Sequence, residues 1–210
     1  MNPWPEIHRQ RLAVADLLDD LTADEWDHPS LCDGWTVRDV AAHLTLQQAG
    51  LRELADMLRH WRGGMHPTIA DAARRRAAAH DATWLVAEIR ETAARRRRNP
   101  GVTPLETLAD LLVHAQDVAL PLGRSHPVPP EAAAAVTRRG LTMRVPPPLP
   151  SARLMTGLRL VATDIDWTYG DGPEVRGTMA GLMLIAAGRS VVLPGLTGPG
   201  ADVLRTRFAA

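Results

Sequence analysis

The sequence predicts a mainly α-helical protein: an antiparallel four-helix bundle followed by a small α+β portion. Three observations carry this reading. Apolar residues recur at helical spacing through most of the first 145 residues. Breaks such as Gly63-Gly64 and Asn99-Pro100-Gly101 separate stretches of bundle length, which favours neighbouring antiparallel helices. After Val145-Pro146-Pro147-Pro148-Leu149-Pro150 the pattern changes to short β-type runs and Gly-rich turns. That proline run reads as a stiff linker, so the expected domains are residues 1–145 and 151–210. A chain of 210 residues, 45% of them hydrophobic, can bury a real core.

The elements follow in order. The first helix is expected over about 4–20, with Ile7, Leu12, Ala15, Leu17, Leu18 and Leu21 as its apolar stripe. A polar stretch, 22–30, turns the chain. Thr36 is an N-cap residue with Asp39 in the place of the capping-box acid. The second helix then runs from Val37 toward His60. Val37, Val40, Ala41 and Leu44 form its apolar face, and His43 lies beside that face. A third, Ala- and Arg-rich helix is expected over about 69–98. Its runs Arg74-Arg75-Arg76 and Arg95-Arg96-Arg97-Arg98 read as a solvated face and a cation-rich C-terminus. Thr103-Pro104-Leu105-Glu106 opens a fourth helix, with Thr at N-cap, Pro at N1 and Glu at N3. It runs to about Leu120, ahead of Pro121 and Gly123. A fifth, Ala-rich helix over about 130–143 precedes the linker. Beyond it, 158–162 and 165–169 read as strands, Gly170-Asp171-Gly172-Pro173 as a turn and 173–177 as a third strand. A short buried helix over 178–187 ends at Gly188, and a terminal helix covers about 199–208.

Composition excludes several classes. Basic and acidic residues number 24 each, so no global field directs the chain to nucleic acid or to an anionic membrane. Every basic residue other than histidine is Arg; with no Lys there is no Schiff-base or general-base lysine. The single cysteine, Cys32, permits no internal disulfide and fits a reduced, cytosolic setting. Met1-Asn2-Pro3-Trp4-Pro5 does not lead from a basic segment into an apolar run, as a signal peptide would. The longest apolar stretches, such as 179–187, fall short of the ~20 residues that span a bilayer. The expected setting is soluble and cytoplasmic.

The chemistry concentrates in two segments. On the fourth helix Asp110 and His114 are one turn apart on one face. His43, on the second helix, would complete a two-His, one-carboxylate set, a common first shell for Zn²⁺ or a similar ion with an open position. Glu106, Asp110, His114 and Asp117 follow one another at spacings of four, four and three, which gathers four such groups on one helix face. Turned inward, that face is costly unless a cation compensates it; turned outward, it is simply wet. Residue chemistry alone leaves both readings open. Asp117 could accept from the free ring N–H of His114 or anchor an Arg. Cys32 reads as a small buried hydrophobe, with a fourth ligand or a nucleophile as the alternatives, and Trp35 as a packing anchor.

Ser30-Leu31-Cys32-Asp33-Gly34-Trp35-Thr36-Val37-Arg38-Asp39-Val40-Ala41-Ala42-His43-Leu44 resembles the hallmark segment of the mycothiol-dependent maleylpyruvate isomerase family, within the DinB-like superfamily of metal-binding four-helix bundles. The stretch from Asp110 through His114 and Asp117 to Gly123-Arg124 resembles its second hallmark. Residues 162–167, 175–182 and 187–189 resemble its small C-terminal portion. The resemblance implies a DinB-like fold. It makes His43, Asp110 and His114 ligands of a divalent metal, zinc foremost. Its characterised members carry Glu where this chain has Asp110. Loss of one methylene draws the carboxylate back by about 1.5 Å, with Glu106, one turn earlier, as the alternative ligand. The resemblance further implies a thiol cosubstrate, mycothiol or another low-molecular-weight thiol, favoured as thiolate beside the metal. The thiolate adds to an electrophilic carbon: in isomerases to a cis double bond, with rotation and elimination, in transferases by S-conjugation. Arg176 and Arg189 are candidates to bind a substrate carboxylate. The expected partners are a small substrate and the thiol, with a homodimer compatible. A metal-dependent hydrolase on the same bundle and a non-catalytic metal or small-ligand binder are the alternatives.

Overall fold

A computed structural model describes residues 2–144 and 149–209. The first four residues of the proline-rich linker, 145–148, lie outside the described residues. The first unit carries α1 (Trp4–Asp19), a one-turn α2 (Ala23–Trp26), α3 (Val37–Thr45), α4 (Leu51–Arg59), α5 (Met65–Ala79), α6 (Ala82–Thr92) and α7 (Pro104–Ala119). Helix α1 packs on α6 and α7, while α3 packs on α5, α6 and α7. Helices α1, α3, α6 and α7 are thus the four-helix bundle. Val14 and Leu18, Val40 and Leu44, Leu85 and Ile89, and Leu111 and Val118 fill its core. Burial of a side chain of this size stabilises by roughly 1.5–3 kcal/mol.

Two expected long helices are broken, each for a local reason. The helix that starts at Val37 stops at Thr45 and passes through a 3-10 turn, Leu46–Gln48. Ala49 is then extended, and the Gly50 N–H donates to Glu53 Oε2 at 2.7 Å to start α4. The Ala- and Arg-rich stretch starts earlier than expected, at Met65, with Pro67 tolerated in the first turn. It breaks at His80, which is extended, and Asp81 caps α6 by accepting from the Trp84 N–H at 2.8 Å. Helix α6 ends at Thr92, so Arg95–Arg98 lie beyond it rather than on it. The buried Arg11 of α1 donates to the Arg95 carbonyl at 3.0 Å, and burial lowers its guanidinium to about 10.

The second unit holds α8 (Pro130–Thr142), α9 (Pro150–Leu154), β1 (Arg159–Ala162), β2 (Thr168–Tyr169), β3 (Glu174–Gly177), α10 (Met179–Ala186) and α11 (Pro199–Ala209). The sheet order is β2-β1-β3, with β1 antiparallel to β2 and parallel to β3; Leu160 stands between Tyr169 and Val175. Expected as a five-residue strand, 165–169 pairs only at Thr168 and Tyr169. The preceding residues are taken by a cap and a turn: Asp164 Oδ1 accepts from the Met179 N–H at 2.8 Å, and the Trp167 N–H donates to the Ile165 carbonyl. Contacts divide the chain at His126 and Pro127, not at the linker. The cause is α8, whose buried Ala132, Ala133 and Val136 lie on a helix packed against α10. Among the described residues no helix is long and apolar enough to cross a membrane.

Candidate metal centre

Two helices of the first unit and the loop before one of them build the site. Thr36 starts α3 as its sequence indicates. Its Oγ1 accepts from the Asp39 N–H at 3.3 Å, and Asp39 Oδ2 accepts from the Thr36 N–H at 3.0 Å. This fixes the register that turns His43 toward α7. On α7 the equivalent box is Thr103 and Glu106, with the Thr103 N–H donating to Glu106 Oε2 at 2.6 Å. Glu106 is therefore held at the helix start and is not part of the donor group formed further along.

The loop 29–35 folds back on itself between them. Ser30 Oγ donates to the Trp35 carbonyl at 3.0 Å, and the Trp35 N–H donates to the Cys32 carbonyl at 3.0 Å. Gly34 takes φ +70°, a left-handed conformation that suits glycine. The Leu31 N–H donates to the Asp117 carbonyl at 3.1 Å and pins the loop to α7. Cys32 and Trp35 are thereby set against the two histidines.

The three sequence-predicted donors come together. One ligand atom from each of His43, Asp110 and His114 lies within 4.8 Å of the others. His43 Nε2 is 3.3 Å from both Asp110 oxygens, and His114 Nε2 is 3.4 Å from Asp110 Oδ1. The two imidazoles cross at 74° with centroids 4.8 Å apart. Trp35 stacks nearly parallel on His114 and meets His43 edge-on, covering one side of both rings. The histidine side chains are 14% exposed and Asp110 34% exposed, so the group is sheltered but reachable.

Behind it lies Asp117, fully buried, whose Oδ2 is 2.9 Å from His114 Nδ1. That carboxylate holds a proton on Nδ1, so Nε2, which faces Asp110, is the nitrogen that can take an ion once its own proton leaves. The same Oδ2 accepts from the Cys32 thiol at 3.1 Å, and Sγ is 3.5 Å from His114 Nδ1. Cys32 is thus neither an isolated apolar filler nor a member of the first donor group. With His114 and Asp117 it forms a second group of potential ligands that shares the histidine.

Electrostatics follow from this packing. Burial by itself would raise the Asp110 carboxyl, but the His43 and His114 imidazoles outweigh it and hold Asp110 well below the usual carboxylate range. Burial would likewise lower His114; the charge of Asp110, with the hydrogen bonds that His114 makes to Asp110 and Asp117 and its contact with Cys32, carries it well above its ordinary value instead. Two imidazole nitrogens and a carboxylate oxygen facing one point, one imidazole fixed from behind, suit a divalent ion such as Zn²⁺ in donor chemistry.

The sequence reading did not single out Gln47, whose amide nitrogen donates to Asp110 Oδ2 at 2.7 Å. Its position four residues after His43 was the available signal. Arg176 and Arg189 belong to the second unit. Arg176 pairs with Glu174 at 2.8 Å, and Arg189 donates to the Ala187 carbonyl at 2.7 Å. Arg124, at the end of the second motif, has a structural part: it reaches Asp20 at 2.6 Å and Glu25 at 2.8 Å, and Glu25 is lowered to about 2 by hydrogen bonds from Arg124 and Thr22. A cleft of about 340 Å³ that borders α4 and α5 is lined by Glu53, Asp56, Arg75 and Arg76 among others and holds none of the donor residues.

The sequence model of the mycothiol maleylpyruvate isomerase N-terminal domain matches residues 7–116. Two solved structures are similar to the chain. One is the crystal structure of the mycothiol-dependent maleylpyruvate isomerase, at 18% identity and a TM-score of 0.57, covering 96% of this chain and 97% of that one. The other is a histidine-to-alanine mutant of such an isomerase, at 18% identity, a TM-score of 0.55 and the same coverages. The likeness shows the shared DinB-like fold, a helical bundle with a small α+β portion. No curated protein matches the chain.

Proposed function

The chain belongs to the mycothiol maleylpyruvate isomerase family through its N-terminal domain, and on that premise we propose that it is a divalent-metal- and thiol-dependent transferase or isomerase. Its cosubstrate is mycothiol or another low-molecular-weight thiol, and its substrate a small electrophile. The observation that carries this reading is the convergence of His43, Asp110 and His114, with His114 held from behind by Asp117.

His43 Nε2, His114 Nε2 and an Asp110 oxygen would hold the ion, zinc foremost. A divalent cation there supplies positive charge that favours a bound thiol as its thiolate. The chain's own residues do the rest. Asp117 keeps the proton of His114 on Nδ1, so that Nε2 remains a donor. Trp35 covers one side of both imidazoles and leaves approach to the thiol and electrophile from elsewhere.

The test is metal analysis of the purified protein before and after addition of Zn²⁺, followed by thiol consumption with maleylpyruvate or a halogenated bimane. One equivalent of metal and electrophile turnover that requires the thiol are expected. Protein that holds no metal and is unaltered by Zn²⁺ refutes the reading. Metal-dependent turnover that proceeds equally without thiol identifies a hydrolase on the same bundle instead.

A further inference from the structure

Gln47 lies in the 3-10 turn that ends α3 and reaches across to α7. Its amide nitrogen donates to Asp110 Oδ2 at 2.7 Å and lies 3.4 Å from the carbonyl oxygen of Thr107, one turn earlier on the same helix. The residue is only 6% exposed. Its amide orientation is determined: reversing it would set an amide oxygen against a carboxylate oxygen. Its own Oε1 is buried with no hydrogen-bond partner among the described residues. Burying that oxygen unpaired is unfavourable, so packing does not account for an amide here. Among the described residues its one short side-chain hydrogen bond is to Asp110.

That bond distinguishes the two oxygens of the carboxylate. Oδ2 is occupied by Gln47. His43 Nε2 is 3.3 Å from either oxygen, but Oδ1 is the one that also lies 3.4 Å from His114 Nε2, so it alone faces both imidazoles without an amide on it. We propose that Gln47 is a positioning residue that holds Asp110 by Oδ2, so that Oδ1 alone is offered with the two imidazoles and the carboxylate binds metal through one oxygen. The inference rests on the metal reading above. It gives the chain's short acid a fixed aim, since the clamp removes the rotation about the last bond of the side chain.

Full-length protein stripped of metal is titrated with Zn²⁺ against a chromophoric chelator, as wild type, Gln47→Leu and Gln47→Met. The visible Co²⁺ absorption of each is recorded at saturation, and melting of the metal-free forms reports on folding. Both variants are expected to melt cooperatively and to lose about 10–100-fold in Zn²⁺ affinity, as removal of an outer hydrogen-bond partner does, with an altered Co²⁺ spectrum. Two variants guard against one that does not fold. A folded variant with wild-type affinity and spectrum overturns the role of Gln47 and leaves the metal reading standing. Wild-type protein that binds neither ion overturns the metal reading, and this inference with it.

Discussion

Removal of the Asp117 carboxylate tests how His114 is held. Asp117 is fully buried, and its Oδ2 serves two donors, His114 Nδ1–H at 2.9 Å and the Cys32 thiol at 3.1 Å. Asp117→Ala leaves both without that partner, which costs about 1–3 kcal/mol of stability in the metal-free protein. The link between Leu31 and the Asp117 carbonyl is backbone and survives the change. Zn²⁺ affinity falls as well, because the imidazole is no longer oriented and its basicity drops. The expected loss is about 10–100-fold, roughly 1.4–2.8 kcal/mol at 1.4 kcal/mol per tenfold. Asp117→Asn separates the two effects. Its amide oxygen still accepts from Nδ1–H, so most of the stability remains, while the loss of charge lowers His114 and weakens the metal site. Competition titration with a chromophoric chelator reads affinity, and melting of the stripped protein reads stability. A folded Asp117→Ala variant that binds Zn²⁺ as tightly as wild type would refute the orienting role of the carboxylate.

Three further outcomes are expected. His114 is raised well above 6.5, so its proton must leave before Nε2 can bind an ion; Zn²⁺ affinity should climb as pH rises above 6.5 with proton release, measured calorimetrically in buffers of different ionisation heat, and a pH-independent affinity contradicts this. In the metal-free protein the lowered Asp110 contributes stability above 3.8 that is lost as pH falls through its folded value, and the raised His114 contributes stability below 6.5 that is lost as pH rises through its own. Both act in full between those limits, so Asp110→Asn should lower the melting temperature there and flatten its fall below 3.8 and above 6.5. Thr36→Ala removes the acceptor for the Asp39 N–H and should cost about 1 kcal/mol in urea unfolding, with metal affinity retained once the protein is folded; an unchanged midpoint would mean that the cap does not hold α3.

The bundle and the donor set were legible because each depends on short-range pattern. Thr36 with Asp39 and Thr103 with Glu106 are capping boxes that need no tertiary information, and both are formed. Asp110 and His114 share a helix face by spacing alone. What stayed hidden depends on where the chain bends. The helix pattern through 37–60 gives no sign that Ala49 turns extended, so Gln47 reads as one more helical glutamine instead of the residue in a 3-10 turn that meets Asp110. The fifth helix reads as the last of the first domain because the proline run after it dominates the local composition. Its burial against α10 is a long-range contact with no trace in nearby sequence.

The same distinction bears on Asp110, the ligand position at which the chain departs from the pattern it resembles. Read from sequence, the shorter acid at Asp110 is a question of reach, with Glu106 as the substitute. In the fold Glu106 is held in its capping box, and Asp110 already stands 3.3 Å and 3.4 Å from the two imidazole nitrogens. Reach is therefore not what a longer side chain would add. What separates Asp110 from an ordinary exposed helix carboxylate is its setting: imidazoles on one side lower its pKa, and an amide from the end of α3 secures its second oxygen. A short acid with one oxygen tied loses little freedom when the other binds, so the entropic cost of ordering it falls on folding rather than on ion binding. By that argument Asp110→Glu, made where Gln47 is retained, places a longer side chain against an amide set for a shorter one. It should weaken Zn²⁺ binding relative to wild type, and a gain in affinity on restoring the family's residue would show that reach is what the site lacks.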